Sequence, residues 1–246
     1  LFFCTIGAQN KKIATKVTYE SQQTSEYLTS SRVSQLIYKR GQSKYVKGEH
    51  TFGDLPENAT MKEIGREKDS FYETNYVDLQ TQKIHSKLIA DNKIFLVEES
   101  LNRIPWEIKK NETDSIMGFS CLKAIGEFRG RQYTAWFTPE IPVPFGPWKL
   151  NGLPGLILEA RDERDEIKFA ATKIEYLKKE NADTSVKPQF EDYDIISLKD
   201  YVEQKRKDNK EIMKRVIAKM PKGSKISGLK ENKHSGLELK YEWEEN

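Results

Sequence analysis

Residues 117–160 read MGFSCLKAIGEFRGRQYTAWFTPEIPVPFGPWKLNGLPGLILEA. Four of the nine prolines fall between Pro139 and Pro147, and Pro154 follows. Proline locks φ and removes a backbone donor, so this stretch is excluded from the middle of a sheet. It is nevertheless rich in apolar side chains: Trp136, Phe137, Ile141, Val143, Phe145, Trp148, Leu150 and Leu153. Together these features describe an ordered connection between two strands, packed against a sheet. In Gly152-Leu153-Pro154-Gly155 the glycines permit angles with φ > 0 that other residues resist.

Outward from this stretch, the chain alternates apolar and polar residues. Ile13, Thr15, Val17 and Tyr19 alternate as in a half-buried strand. Leu36–Tyr38 and Lys44–Val46 flank Arg40-Gly41 and predict a hairpin. Phe71–Val77, Ile84–Ala90 and Ile94–Glu98, separated by short Asp/Asn-containing turns, predict an antiparallel meander. Trp106–Ile108 adds a short strand. Phe119–Ile125 with Arg131–Phe137, and Leu156–Ala160 with Ile167–Ile174, predict two more hairpins, the second closed by the acidic, solvated turn Asp162–Asp165. Residues 49–69 and 179–196 are polar and predict irregular structure. Ser197 and Asp200 form a capping-box signature ahead of Leu198, Tyr201, Val202, Lys205, Ile212, Val216, Ile217 and Met220, a helical stripe ended by Pro221 and Gly223, with Glu203–Lys207 and Glu211–Arg215 expected as i,i+4 pairs. Leu237–Glu244 alternates and predicts a last strand. The expected class is mainly β with one or two helices (α+β), built on a curved antiparallel sheet or half-barrel.

Gly152-Leu153-Pro154-Gly155-Leu156-Ile157 is the hexapeptide that names the GLPGLI family, and the chain resembles that family further. Cys121, Lys123 and Ala124, Phe128-Arg129-Gly130-Arg131, Ala135-Trp136-Phe137, Ile141-Pro142, Gly146-Pro147 and the closing Tyr241-Glu242-Trp243 follow its order and spacing. The resemblance implies an exported Bacteroidota protein and no particular activity. It also implies a curved sheet wrapped around helices, similar to lipoprotein carriers of the LolA/LolB type.

The chain has 246 residues, net charge +3 and 32% charged side chains. The signs are interleaved, without the concentrated basic patch that nucleic-acid binding shows. No stretch supplies the ~20 apolar residues of a membrane-spanning helix. The apolar start Leu1–Ala8 reads as the end of a signal peptide, with residues 9–246 as one domain in the periplasm or outside the cell. Cys121 is then the single cysteine, expected in the core with Lys123 at its rim.

The familiar catalytic signatures GxSxG, GxxxxGK[ST] and HExxH are absent. His50, His85 and His234 are isolated in sequence and are expected on the surface, and no cofactor is expected. The leading expectation is a non-catalytic binding or carrier module. Its apolar ligand (lipid, lipoprotein or peptide) would sit in the concave sheet against Trp136, Phe137, Phe145, Trp148 and Leu153. The alternatives are an accessory protein that contacts an outer-membrane transport or surface complex, and a thiol- or metal-dependent hydrolase.

Overall fold

The computed structural model describes residues 14–24, 29–48, 50–52, 72–178, 184–219 and 236–244. One sheet of 13 strands organises them. β1 (Ala14–Thr24), β2 (Thr29–Lys39) and β3 (Gln42–Val46) run outward from its centre, with β4 (His50–Phe52) beside β2. β5 (Thr74–Asp78), β6 (Lys83–Ala90) and β7 (Lys93–Ser100) continue to one side. The chain then crosses to the other side and returns through β8 (Glu107–Ile116), β9 (Phe119–Phe128), β10 (Arg131–Thr138), β11 (Leu156–Asp162) and β12 (Ile167–Leu177). β12 pairs with β1 and joins the two meanders. β13 (Asp194–Ser197) lies parallel to β7, and every other pairing is antiparallel.

The crossing explains the curvature. Residues 101–106 link β7 to β8, and seven Cα steps span at most ~25 Å. In the sheet order these strands are ten spacings apart, which in a flat sheet is roughly 48 Å. The sheet therefore has to curl, which brings its two ends within reach of each other across an inner face.

Turn chemistry sets the register. Arg40-Gly41, Asp91-Asn92, Met117-Gly118 and Arg129-Gly130 all have positive φ at both residues. This is the geometry whose twist matches two paired strands. Val17, Leu36, Tyr45, Asn75, Ser86 and Val97 are directly opposed on successive strands and so share the inner face. Residues 139–155 contribute Ile141, Phe145, Trp148, Leu150 and Leu153 to the core beside Val17 and Tyr19.

Helix α1 (Leu198–Lys219) starts on the expected cap: Ser197 Oγ accepts from Asp200 N at 3.1 Å and donates to the Asp200 carboxylate at 2.6 Å. Leu198 and Val202 pack on Val97 at the inner face. The mainly β class and the curved antiparallel sheet expected from the alternation are what the structure has. No described helix is long and apolar enough to cross a membrane.

Several local expectations need correction. Residues 236–244 form no strand. Leu239 N and Lys240 N both donate to the Arg129 carbonyl, at 2.8 and 3.1 Å, and converging donors cannot build a ladder. Within 179–196, β13 does form, because Ile196 packs with Leu198 and Val97. The acidic turn is not wholly solvated: Asp162 is buried against Arg131. In α1 the ion pair is Glu211–Lys214, not Glu211–Arg215. Among the described side chains of the helical stripe, Leu198 and Val202 are buried whereas Ile212 and Ile217 are exposed. Residues 1–8, His234, Pro221 and Gly223 lie outside the described residues.

Candidate functional site

The proline-rich segment packs on the inner face. Of the five side chains expected against a ligand, Phe137, Phe145, Trp148 and Leu153 are at most 5% exposed and belong to the main core. Trp136 is half-buried and packs against that core. Gly146 and Gly155 let the proline-rich segment approach the sheet. A Cβ on Gly155 would stand 2.2 Å from the Thr138 carbonyl oxygen, and one on Gly146 would stand 2.8 Å from Ile157. Gly152 is the one that uses positive φ, at +92°. The sequence expectation of φ > 0 holds at Gly152, whereas Gly155 serves close approach.

The inner face also carries buried charge. Glu99 on β7 accepts from Arg129, in the β9–β10 turn, and from Lys149 in the proline-rich segment. Glu238 pairs with Lys149 at 2.9 Å and Glu242 with Arg129 at 3.0 Å. Burial alone would lower the Lys149 pKa, but Glu238 and Glu99 more than offset it and hold the ammonium above its ordinary range. The Arg129 guanidinium lies 5.3 Å from the Tyr241 ring, which stacks on Trp243 at 4.8 Å. Beside this, Arg131 donates to the Gly236 carbonyl and to Asp162. Residues 236–244 thus form a strap that ties both ends of the curled sheet together. Arg129 and Glu242 stand in motif stretches quoted above, but no local pattern joins them to Glu99, Lys149 and Glu238, which are far apart in the chain.

The outer face holds the other arrangement of interest. Ile37, Lys44, Tyr76, His85 and Glu98 form one cross-strand row over β2, β3, β5, β6 and β7. The segment before β13 lies across this row. Val186 packs on Ile37 and Ala14, and the Phe190 ring meets His85 edge-on at 5.0 Å. A cleft of about 430 Å³ remains between them. Val186, Pro188 and Phe190 make one wall, while Gln42, Asp78, Thr81, Lys83 and Glu98 make the other. His85 is 7% exposed, not a surface residue, and its Nε2 lies 3.0 Å from Glu98. Hydrogen bonds from Lys83 and then His85 hold the Glu98 carboxyl below its ordinary range despite some burial. Burial would raise Asp78, but bonds from Gln42 and the backbone of Gln80 and Thr81 keep it low. Both carboxylates therefore face the cleft ionised at neutral pH.

Cys121 is fully buried, and burial pushes its thiol up to about 11. Lys123 is paired with Glu112 at 2.7 Å and is not among the groups that act on the thiol. Iodoacetamide at pH 8 is expected to leave Cys121 unmodified in the native protein and to alkylate it fully in urea, read by mass. The folded state favours the protonated thiol, so this contribution to stability is complete below the ordinary thiol range near 9. It is lost as pH rises from there through about 11. No cluster of three or more metal-ligating side chains occurs among the described residues.

A model of the N-glycanase peptide, N-terminal domain family matches residues 57–200. PNGF-II solved in the P21 space group superposes with a TM-score of 0.52 at 15% identity, over 80% of this chain and 34% of that one. In the C2 space group the values are 0.51, 16%, 79% and 33%. The chain therefore spans about a third of the length of PNGF-II, and at this identity the likeness is one of fold. A putative outer membrane lipoprotein-sorting protein domain from Vibrio parahaemolyticus overlaps 70% of this chain and 89% of its own, at 9% identity. Its TM-score of 0.25 is too low to bear on the fold. No curated protein matches the sequence.

Proposed function

The chain belongs to the N-glycanase peptide, N-terminal domain family, and from that membership we propose that it is a non-catalytic module that binds the saccharide of a glycoprotein in the outer-face cleft. The two-walled lining of the cleft carries this reading. A sugar ring presents a C–H face and an edge of hydroxyls. Phe190 and Pro188 suit the first, and Gln42, Asp78 and Glu98 suit the second. Binding sites are commonly concave, with an apolar lining and a few placed polar groups that fix orientation.

An interior carrier for an apolar ligand is the weaker reading, because the side chains it would use are spent on the core. In our reading the GLPGLI hexapeptide serves the cleft indirectly, by holding the proline-rich segment inside the curled sheet. The reading also takes the protein to be exported, periplasmic or secreted.

Saturation-transfer NMR with a free N-glycan core oligosaccharide tests the proposal. The protein is expected to transfer saturation to the sugar ring protons, and Phe190→Ala to weaken binding at least tenfold. Phe190 is 46% exposed, so its loss should leave the melting temperature within a few degrees of the parent. No transfer from the parent, or unchanged affinity in the variant, would reject the reading.

A further inference from the structure

The hydrogen bonds that tie α1 to the rest of the fold end at Asp208, among the described residues. Tyr201 and Lys205 donate to the Ile89 carbonyl, and Asp208 accepts from Asp91 N. Beyond that point the helix continues to Lys219, a further ~16 Å at 1.5 Å per residue. This distal part keeps an apolar pattern at its exposed surface. Ile212 is 54% and Ile217 51% exposed, and Met213 is half-buried.

At about 100° per residue these three positions span an arc of ~140°. Lys210 falls roughly 20° outside one border of the arc and Arg215 roughly 60° outside the other. Lys207 and Lys214 lie behind them. Glu211 points to the side opposite the arc and is paired with Lys214. All four of these cations are exposed.

We infer that the distal half of α1 is an interfacial helix that lays Ile212, Met213 and Ile217 onto an anionic phospholipid bilayer surface. An apolar arc bordered by cations on both sides, with its carboxylate turned away, matches that boundary. The isoleucines enter the acyl region while Lys210 and Arg215 extend to the headgroup phosphates. Charge decides between occupants. An acidic surface complements the four cations, whereas a second copy of the same helix would bring like charges to the borders of the arc. The sheet stays in water, because the isoleucines lie beyond the helix's last hydrogen bond to it. The saccharide cleft is on the outer face and plays no part in this contact.

Co-sedimentation of the full chain with vesicles tests the inference. Binding to mixed phosphatidylglycerol–phosphatidylcholine vesicles is expected, at least tenfold stronger than to phosphatidylcholine alone and weakened by salt. The pair Ile212→Ser with Ile217→Ser, and separately Lys210→Glu with Arg215→Glu, should each reduce binding at least tenfold without moving the melting temperature. Absence of binding to the anionic vesicles, or binding that neither pair affects, overturns the inference. So does a concentration-dependent dimer in analytical ultracentrifugation that the isoleucine pair abolishes, since the arc would then be a self-association face.

Discussion

Glu99→Ala is expected to destabilise the protein by about 3–5 kcal/mol, the range for removing one member of a buried ion pair. The Glu99 side chain is 5% exposed, and it faces Arg129 and Lys149, each 2% exposed. Without it two buried cations confront each other, with Glu238 left as the nearby carboxylate that is not largely exposed. At a slope of about 3 kcal/mol per molar urea the unfolding midpoint should fall by roughly 1–1.7 M. The quadruple change Glu99→Leu, Arg129→Met, Lys149→Met, Glu238→Gln should recover much of that loss. An apolar replacement removes desolvation costs along with the attraction, and Glu242 can turn to water. Urea titration of both variants checks this, and a loss below 1 kcal/mol in Glu99→Ala would mean that the strap cluster does not hold the curled sheet.

For Gly155→Ala the expected cost is about 3 kcal/mol, at the upper end for overpacking a core. The added Cβ would stand 2.2 Å from the Thr138 oxygen and 2.6 Å from its carbonyl carbon. Thr138 sits on β10, paired with Leu156, and is fully buried. Rotating a side chain cannot relieve contact with backbone atoms, so β10 and β11 would have to separate. Gly41→Ala is the control. It has φ +77° with nothing within 4 Å of the new Cβ, so only conformational strain of about 1–2 kcal/mol is expected. Thermal melts of the two variants should rank them in that order, and equal losses would show that the close approach to Thr138 is not what makes Gly155 necessary.

Both predictions rest on contacts between separate segments of the chain, which local sequence patterns do not encode. The hairpins at Arg40-Gly41, Asp91-Asn92 and Arg129-Gly130 were legible, because two-residue turns declare themselves locally. So was the helix start at Ser197, where two side chains satisfy each other within one turn. The packing of the proline-rich segment followed from its lack of donors and its wealth of aromatics. β13 was not legible. It is four residues long, and it forms only because β7 offers an edge beside the seat of α1. The polar stretch Lys109–Ser115 in β8 carries no alternation, since an outermost strand of the sheet needs none.

Side-chain roles divided in the same way. Cys121 sits in the core as its apolar setting implied. His85 does not sit on the surface, because Phe190, more than a hundred positions later, folds across it. Glu99, Lys149 and Glu238 carry no local signal in a chain that is 32% charged, and their convergence on Arg129 is what brings them together.

Most of the strands, their tight turns, the helix cap and the ordered proline-rich connection can be read from the chain alone, all being interactions within a few residues; β13 and the strap at 236–244 cannot. Tertiary structure settled which strands the curl brings together, the packing of the proline-rich segment on the inner face, the ion cluster and the outer cleft. These depend on which distant groups meet, and a short link between strands at opposite ends of the sheet order imposes that meeting.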